Sequence, residues 1–389
     1  MTTSVQTPFA GAGSASGPGS VTRAVEQALA ALGGARPSVV LAFPSPSPDL
    51  AADVGLAQTL TAAPIVGMTG NATLSAEGAF EDACSVLALA DPVKAAVRIE
   101  TDASQDPREA GRRAASAAIA AVDSSVGSRV LLMFVDTRTG DQAEVISGAY
   151  EAAGPSVPLA GGAAGGLDPF QIGEGKTYTD SVVAVALVSP GPIGVGIAHG
   201  CQPRSAPSIV TKADGRVVLQ LDGRRAEDVY LEKLDSADVA LNDEQFEALS
   251  VVHPLAQPEL SGDVRLRHVL GRTRDGGLVC ATHLPANAAV EFTDEEPDGI
   301  VVSAWDGVVS ALAQLDGASP RAAIIFDCAG RKRALAVHGE TLERESHALI
   351  ASLGDEPPPL AGLYTHGEIG RVRGAKGDRN HAVVVVAIG

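Results

Sequence analysis

A segment of proline, two apolar residues and glycine occurs three times in the chain, each time before a polar loop and a long apolar run. The segments begin at Pro64, Pro158 and Pro359, and the apolar runs end near Leu89, Val188 and Ile388. An apolar run without polar alternation is typical of a strand that is buried on both faces. The recurrence therefore predicts three copies of one structural unit.

Each copy also contains two stretches with helical spacing and an earlier apolar strand. We expect these earlier strands to begin near Ser38, Arg129 and Arg321 and to occupy equivalent places in their sheets. A unit with the order helix-strand-helix-strand-strand buries its sheet only by packing beside other units. The predicted fold class is therefore α/β, with layered sheets and flanking helices built from three related units.

Between the second and third copies the pattern changes to short strands and tight turns, which predicts an inserted β-rich segment. Asp214-Gly215 is a strong tight-turn signal, and further strands are expected near Leu249, Val264 and Leu278. For the domains, we expect a disordered lead-in over 1–20, which is rich in Ser, Gly, Ala and Pro. A first domain is expected over 21–240 and a second over 241–389.

The charge and the hydropathy exclude two classes of partner. The formal net charge of −18 repels a phosphate backbone, so we expect no nucleic acid. The most hydrophobic window, 181–200, is interrupted by Ser189-Pro-Gly-Pro192, which predicts a hairpin turn and argues against membrane insertion. Four scattered cysteines are typical of reduced thiols, and we expect a cytoplasmic protein.

The first candidate site residues follow the predicted strand of the third copy. Cys328-Ala-Gly-Arg331 comes directly after that strand, at the strand end where ligands bind in open α/β sheets. Arg331 can hold a carboxylate with two parallel hydrogen bonds. The neighbouring Lys332 and Arg333 leave open an ordinary solvated basic turn, and Cys328 also suits a small buried position.

Three more candidates alternate along an extended loop of the third copy. Tyr364, His366 and Glu368 are spaced so that they can face one way. Glu368 could receive an amino group while Tyr364 offers a hydroxyl. Pairing of Glu368 with Arg371 or Arg373 at the surface is the alternative.

The remaining candidates lie at strand ends and in a glycine-rich loop. Asn380 precedes the last strand, and His199 ends an earlier one; either could contact a ligand or only satisfy local hydrogen bonds. Gly161 and Gly162 open a loop that we expect to let a ligand or another chain segment approach closely. No nucleophile elbow and no acid-base pair of carboxylates stands out, so no enzyme is predicted.

Taken together, these motifs resemble the FIST family of sensory domains. The resemblance rests on segments of both halves of the chain and on Asn380: 128–134, 158–162, 194–200, 219–230, 324–331 and 362–370. The chain departs from the family pattern at Met68 and at Asn71-Ala72, where members often carry Cys-Ser and Gly-Glu. It also has Ala382 where a threonine is expected.

The resemblance implies sensing of a small ligand, with amino acids as the typical ligands. We expect the protein to be non-enzymatic and to carry no cofactor. A zwitterion would suit Arg331 for the carboxylate and Glu368 for the ammonium. Output is expected to pass to a separate partner protein. Two alternatives stay open: a haem-based gas sensor with His199, His366 or Cys328 as axial ligand, and an enzyme of unrecognised mechanism.

Overall fold

The computed structural model describes residues 8–122, 127–165, 168–259, 264–372 and 377–389. These residues form three six-stranded sheets, one nine-stranded sheet and the helices that flank them. The predicted mixed α/β class is confirmed. Each six-stranded sheet is built around one of the three sequence copies, and the nine-stranded sheet contains the inserted segment.

The first unit consists of β1 (Ala10–Ser16), α1 (Ser20–Ala31), β2 (Pro37–Pro44), α2 (Leu50–Gln58), β3 (Ile65–Met68), β4 (Thr73–Ser75), β5 (Gly78–Phe80) and β6 (Ala83–Ala90). The second consists of β7 (Lys94–Thr101), α3 (Pro107–Ala121), β8 (Ser128–Asp136), α4 (Gln142–Ala153), β9 (Leu159–Ala164), β10 (Gln171–Gly173), β11 (Lys176–Tyr178) and β12 (Ser181–Ser189).

The third unit begins with β13 (Ile193–Ala198), and the insert follows before its first helix. The insert contains β14 (Gln202–Pro203), β15 (Ser208–Asp214), β16 (Val217–Leu221), β17 (Arg224–Arg225), α5 (Ala226–Lys233), α6 (Asp243–Val251), β18 (Leu255–Pro258), β19 (Val264–Arg267), β20 (Val269–Arg272), β21 (Leu278–Cys280) and β22 (Ala289–Asp294). The unit resumes with α7 (Pro297–Leu312), β23 (Ala322–Cys328), α8 (Ala329–Val337), α9 (Glu343–Ser352), β24 (Leu360–Thr365), β25 (Glu368–Arg371), β26 (Asp378–Arg379) and β27 (Val383–Ile388).

The three six-stranded sheets share one strand order. Each begins with the first strand of its unit, followed by the last, the second and the third, and ends with a hairpin from another unit. The hairpin β10-β11 completes the first sheet, β25-β26 the second and β4-β5 the third. The pairs β2-β3, β8-β9 and β23-β24 are parallel, and all other neighbours are antiparallel. The units are thus connected by a cyclic exchange of hairpins.

The three sheets bury one common apolar core. Phe43, Phe134 and Phe326 come from the second strand of each unit, and their ring centroids lie 5.8 to 6.1 Å apart. This is the spacing of favourable edge-on aromatic contacts. The core therefore belongs to all three units together.

The expectation of a disordered lead-in over 1–20 is wrong for the part that forms β1, while residues 1–7 lie outside the described chain. Strand β1 pairs with β6 over its whole length. Its small residues gave no strand signal, because β-propensity scales favour branched and aromatic side chains. They are needed for packing: a Cβ at Gly13 would lie 2.1 Å from the carbonyl oxygen of Ala24 in α1.

Two other local expectations are also corrected. The turn at 189–192 does not join paired strands, because β12 pairs with β7 and β8 whereas β13 pairs with β27. This turn passes the chain from the second sheet to the third. The strand expected near Leu249 is helix α6, which begins with a capping box between Asn242 and Gln245.

Candidate functional site

A cavity of about 280 Å³ lies between the third unit and the insert. One wall is formed by the carboxyl ends of β23 and β24, where Cys328 and Thr365 are parallel neighbours. The other wall comes from α6 and from the turn between β19 and β20. Parallel strand ends are the usual ligand position in open α/β sheets, so this is the candidate site.

Cys328 lies at the inner wall because β23 passes directly into α8 at this residue. Its Sγ accepts hydrogen bonds from the N–H groups of Gly330, at 3.3 Å, and His381, at 3.2 Å. The predicted basic turn is thus the first turn of a helix, capped by the thiol. Burial, with a further contribution from the nearby Glu368 carboxylate, raises the pKa of the Cys328 thiol well above its usual value.

The end of β24 brings His366 to the cavity beside a residue of the first unit. Asn71 Nδ2 lies 2.8 Å from His366 Nε2, and the Asn71 N–H donates to the carbonyl oxygen of Tyr364 at 2.9 Å. Asn71 reaches this position because the following strand, β4, pairs with β24. The hairpin exchange therefore supplies part of the site.

The insert closes the cavity with Glu247 of α6, His268 and Leu270. Glu247 forms an ion pair with Arg333 of α8, and the two side chains are 40% and 46% exposed. Asn380 lies deeper, where its Oδ1 accepts from the N–H of His268 at 3.3 Å. The cavity lining thus contains one positive side chain, from the third unit, and one negative side chain, from the insert.

Behind His268 lies a chain of hydrogen bonds that leads into the interior. His268 Nδ1 is 2.7 Å from His381 Nε2, and His381 Nδ1 is 2.5 Å from Glu295 Oε2. His381 is fully buried. Burial, reinforced by the neighbouring His381, Arg333 and His366, lowers the pKa of His268 well below its ordinary value.

Arg331 and Tyr364 lie outside the cavity lining, in a buried network of their own. The Arg331 guanidinium contacts Asp327 Oδ1 at 2.9 Å and Glu345 Oε1 at 2.7 Å, and donates to Ser303 Oγ at 2.7 Å. Tyr364 donates its hydroxyl to Glu345 Oε2 at 3.1 Å. From the first turn of α8, the Arg331 side chain reaches the interior, where it donates to Ser303 and the Ile300 carbonyl oxygen of α7 and to Glu345 of α9.

Glu368 is also fully buried rather than aimed into the cavity. Its carboxylate accepts hydrogen bonds from Thr365 Oγ1, at 2.8 Å, and from the N–H of Ala382, at 3.2 Å. Burial raises the pKa of Glu368 to about 7. Of the two arginines considered as its partners, Arg371 donates to the carbonyl oxygen of Val157, and Arg373 lies outside the described residues.

The other predicted site residues are divided between two places. His199 lines a second cavity of about 70 Å³, which shares Asn380 with the larger one. Gly161 and Gly162 of β9 pair with Ile369 and Glu368 of β25. A Cβ at Gly161 would lie 2.0 Å from the Met133 carbonyl oxygen. At Gly161 and Gly162 the absence of a side chain therefore allows neighbouring strands to approach closely.

Of the nine predicted site residues, the structure thus brings Cys328, His366 and Asn380 to the cavity. The sequence did not predict Asn71, Glu247, His268 or Arg333 as lining residues of this cavity. A signal was present for Asn71, where the chain departs from the family pattern. It was absent for Glu247 and His268, because their position depends on how the insert packs on the third unit.

Two features are absent from the described part of the chain. It contains no group of three or more His, Cys, Asp or Glu side chains that could hold a metal ion. No helix within it has both the length and the apolar character needed to cross a bilayer.

Comparison with known proteins gives matches along most of the chain. The FIST N domain model matches residues 38–224 and the FIST C domain model matches residues 226–371. The uncharacterized protein Rv0628c of Mycobacterium tuberculosis is 30% identical over 205 residues. The uncharacterized protein Mb0898c of Mycobacterium bovis is 30% identical over 202 residues. Each alignment spans 50% of this chain and 50% of the relative. With both domain models matched in order, the chain belongs to the FIST family of sensory domain proteins.

Proposed function

We propose that the chain is a sensor that binds a small polar molecule of amino-acid size in the cavity between the third unit and the insert. Ligand cavities in proteins measure roughly 300–1,000 Å³. The present cavity, at about 280 Å³, lies just below that range and therefore suits a small molecule. The single observation that carries the proposal is the ion pair of Glu247, from the insert, with Arg333, from the third unit, in the lining of this cavity.

A zwitterion matches this arrangement. Its carboxylate can replace Glu247 as the partner of Arg333, and its ammonium can replace Arg333 as the partner of Glu247. Arginine offers a planar pair of donors that fits a carboxylate. The amides of Asn71 and Asn380 supply further donors and acceptors. Arg333 takes the role first expected of Arg331 because Arg333 lines the cavity, whereas Arg331 binds buried protein carboxylates.

The proposal includes binding without turnover, a cytoplasmic location, and output through a separate partner protein. The family supports a sensory role. The position of the cavity supports a mechanism for output, since a ligand there contacts both the insert and the third unit. Replacing the Glu247–Arg333 ion pair would alter how these two parts are held together.

The test is a thermal-shift screen of the natural amino acids and related metabolites, followed by calorimetry on the best compound. Arg333→Ala should weaken binding about tenfold or more, roughly 1.4 kcal/mol, because the ligand carboxylate loses its cationic partner. Glu247→Ala should weaken binding of the zwitterion but not of its N-acetyl derivative, which lacks the ammonium.

Arg344→Ala is the matched control. Arg344 is 46% exposed, as Arg333 is, and also pairs with acidic side chains, Asp298 and Glu340. Equal losses at Arg333 and Arg344 would show that binding depends on general surface charge, and the proposed site would then be rejected.

A further inference from the structure

Glu295, His381 and His268 form a continuous chain of hydrogen bonds from the interior to the cavity wall. The two links are 2.5 Å, from Glu295 Oε2 to His381 Nδ1, and 2.7 Å, from His381 Nε2 to His268 Nδ1. Both donor–acceptor distances are short for N–H···O and N–H···N hydrogen bonds. At the cavity end, His268 is one of the lining residues, while Glu295 and His381 are fully buried.

The three residues come from separate elements that converge at one point. Glu295 follows β22, His268 lies between β19 and β20, and His381 lies between β26 and β27. His381 has a φ of 51°, a left-handed conformation that is uncommon for residues other than glycine. Such conformations are retained where the surroundings require them and are concentrated at functional sites.

The hydrogen-bond chemistry of the chain determines where protons lie. A carboxylate only accepts, so His381 Nδ1 carries a proton directed at Glu295. With a neutral His381, its Nε2 accepts from His268 Nδ1–H, which leaves His268 Nε2 as an acceptor. One additional proton reverses the second link, because His381 Nε2–H then donates to His268 Nδ1. His268 Nε2–H consequently becomes a donor.

The charges around His268 indicate which state a ligand would select. The groups that act on it are Arg333 of α8, His366 after β24 and His381, all of which disfavour a positive His268 in the empty cavity. His381 in turn is near Glu295, Cys328 and the Glu368 carboxyl. An anionic group placed between Arg333 and His268 requires a donor at His268 Nε2.

We propose that these three residues are a proton relay through which the cavity takes up one proton when it binds a ligand with an anionic group such as a carboxylate. The proton is added from solvent at His268 Nε2, and the proton of His268 Nδ1 moves to His381 Nε2. The positive charge then resides on His381 beside the Glu295 carboxylate. This inference rests on the proposed ligand site and specifies how the ligand's anionic group is recognised.

The experiment uses the full chain labelled with ¹⁵N-histidine, with acetate as the probe of the anionic group. Histidine nitrogen shifts are followed by NMR from about pH 5 to pH 8.5, the range in which imidazoles titrate. The His268 and His381 signals should titrate together. Acetate should move their midpoint upward by about one pH unit, a tenfold change in proton affinity. Ethylammonium, a cation of similar size, should not.

Variants separate a relay from two histidines that merely pack together. Glu295→Gln keeps a hydrogen-bond partner but removes the charge, so it should shift both signals and abolish the acetate effect. His268→Gln provides a second variant at the cavity wall and should leave His381 insensitive to acetate. The exposed His283 and His347 lie outside the cavity lining and are internal controls, whose signals acetate should not move in any variant.

Independent titration of His268 and His381, or a midpoint unaffected by acetate, would overturn the relay. The outcome is separable from that of the proposed function. An acetate shift without any amino-acid ligand would retain the relay and reject amino-acid sensing. An amino-acid ligand that binds without moving the His268 and His381 signals would support amino-acid sensing and reject the relay.

Discussion

Arg331 has a side chain that suits a carboxylate ligand, but in this protein it binds buried groups of the fold. Its guanidinium is fully buried between Asp327 and Glu345 and also donates to Ser303 and to the carbonyl oxygen of Ile300. These partners belong to β23, α9 and α7, so one side chain joins three elements. The buried carboxylates depend on Arg331 for charge compensation.

We therefore expect Arg331→Met to destabilise the protein by roughly 3–5 kcal/mol, since it leaves two buried carboxyl groups without their cation. Urea denaturation followed by circular dichroism measures the effect. Arg344→Ala, which removes an exposed arginine, is the control and should change the free energy of unfolding little. A loss at Arg331 no larger than that at Arg344 would contradict the structural role.

The sequence could not distinguish Arg331 from Arg333. Both follow the same strand, and either suits a carboxylate. Which one faces the cavity depends on α8 beginning at Ala329, directly after the strand, because a helix turns by about 100° per residue. The motif that begins at Cys328 correctly predicted the strand end, but it did not predict which arginine lines the cavity.

At the scale of elements, β25 joins parts of the fold that are distant in the sequence. This strand pairs with β9 in the second sheet, yet its first residue, Glu368, bonds to Thr365 of β24 and to the N–H before β27 in the third sheet. The side chain thus lies at the junction of two sheets, in a fully buried position.

The raised pKa of Glu368 predicts a specific pH dependence of stability. The folded carboxyl has a pKa of about 7 against an ordinary 4.5, so between these values the folded state binds more protons than the unfolded state. The stabilisation that this pKa difference provides is fully present below about pH 4.5. As the pH rises to 7 it is lost, and the free energy of unfolding falls by about 3 kcal/mol. Glu368→Gln should remove this loss.

The measurement is the free energy of unfolding of both proteins at several values between about pH 5 and pH 8, within the range that the pKa shift affects. The variant should gain stability relative to the original protein as the pH rises. Parallel stability curves would show that Glu368 has an ordinary pKa in the folded state.

The long elements could be predicted from the sequence, whereas the short ones could not. The apolar runs of β2, β8, β23 and of β6, β12, β27 carry their own signal, since they are buried on both faces. The exchanged hairpins have strands of only two to four residues, and their partners lie in other units. Their pairing depends on contacts that no local pattern encodes.

At the scale of the whole molecule, the two family domains share sheets and a core. Hairpin β4-β5 of the first half completes the third sheet, and β25-β26 of the second half completes the second sheet. The phenylalanine cluster also draws on both halves, with Phe43 and Phe134 from one and Phe326 from the other.

We expect residues 8–224 and 226–389, produced separately, to lack a cooperative unfolding transition, because each would expose an incomplete sheet and part of the common core. Mixed or co-expressed, they should associate and regain the transition. Thermal unfolding and size-exclusion chromatography of each fragment and of the mixture would measure this. A cooperative transition in either isolated fragment would refute the expectation.

The cyclic hairpin exchange also has a consequence for the origin of the fold. A single unit by itself would have a four-stranded sheet with an open edge and a hairpin without a partner. Three separate copies could close a ring by each lending its hairpin to a neighbour, so the present chain has the connectivity of a domain-swapped homotrimer. In a single chain the three units need not be identical. One copy could then acquire an insert and a cavity while the other two kept the framework.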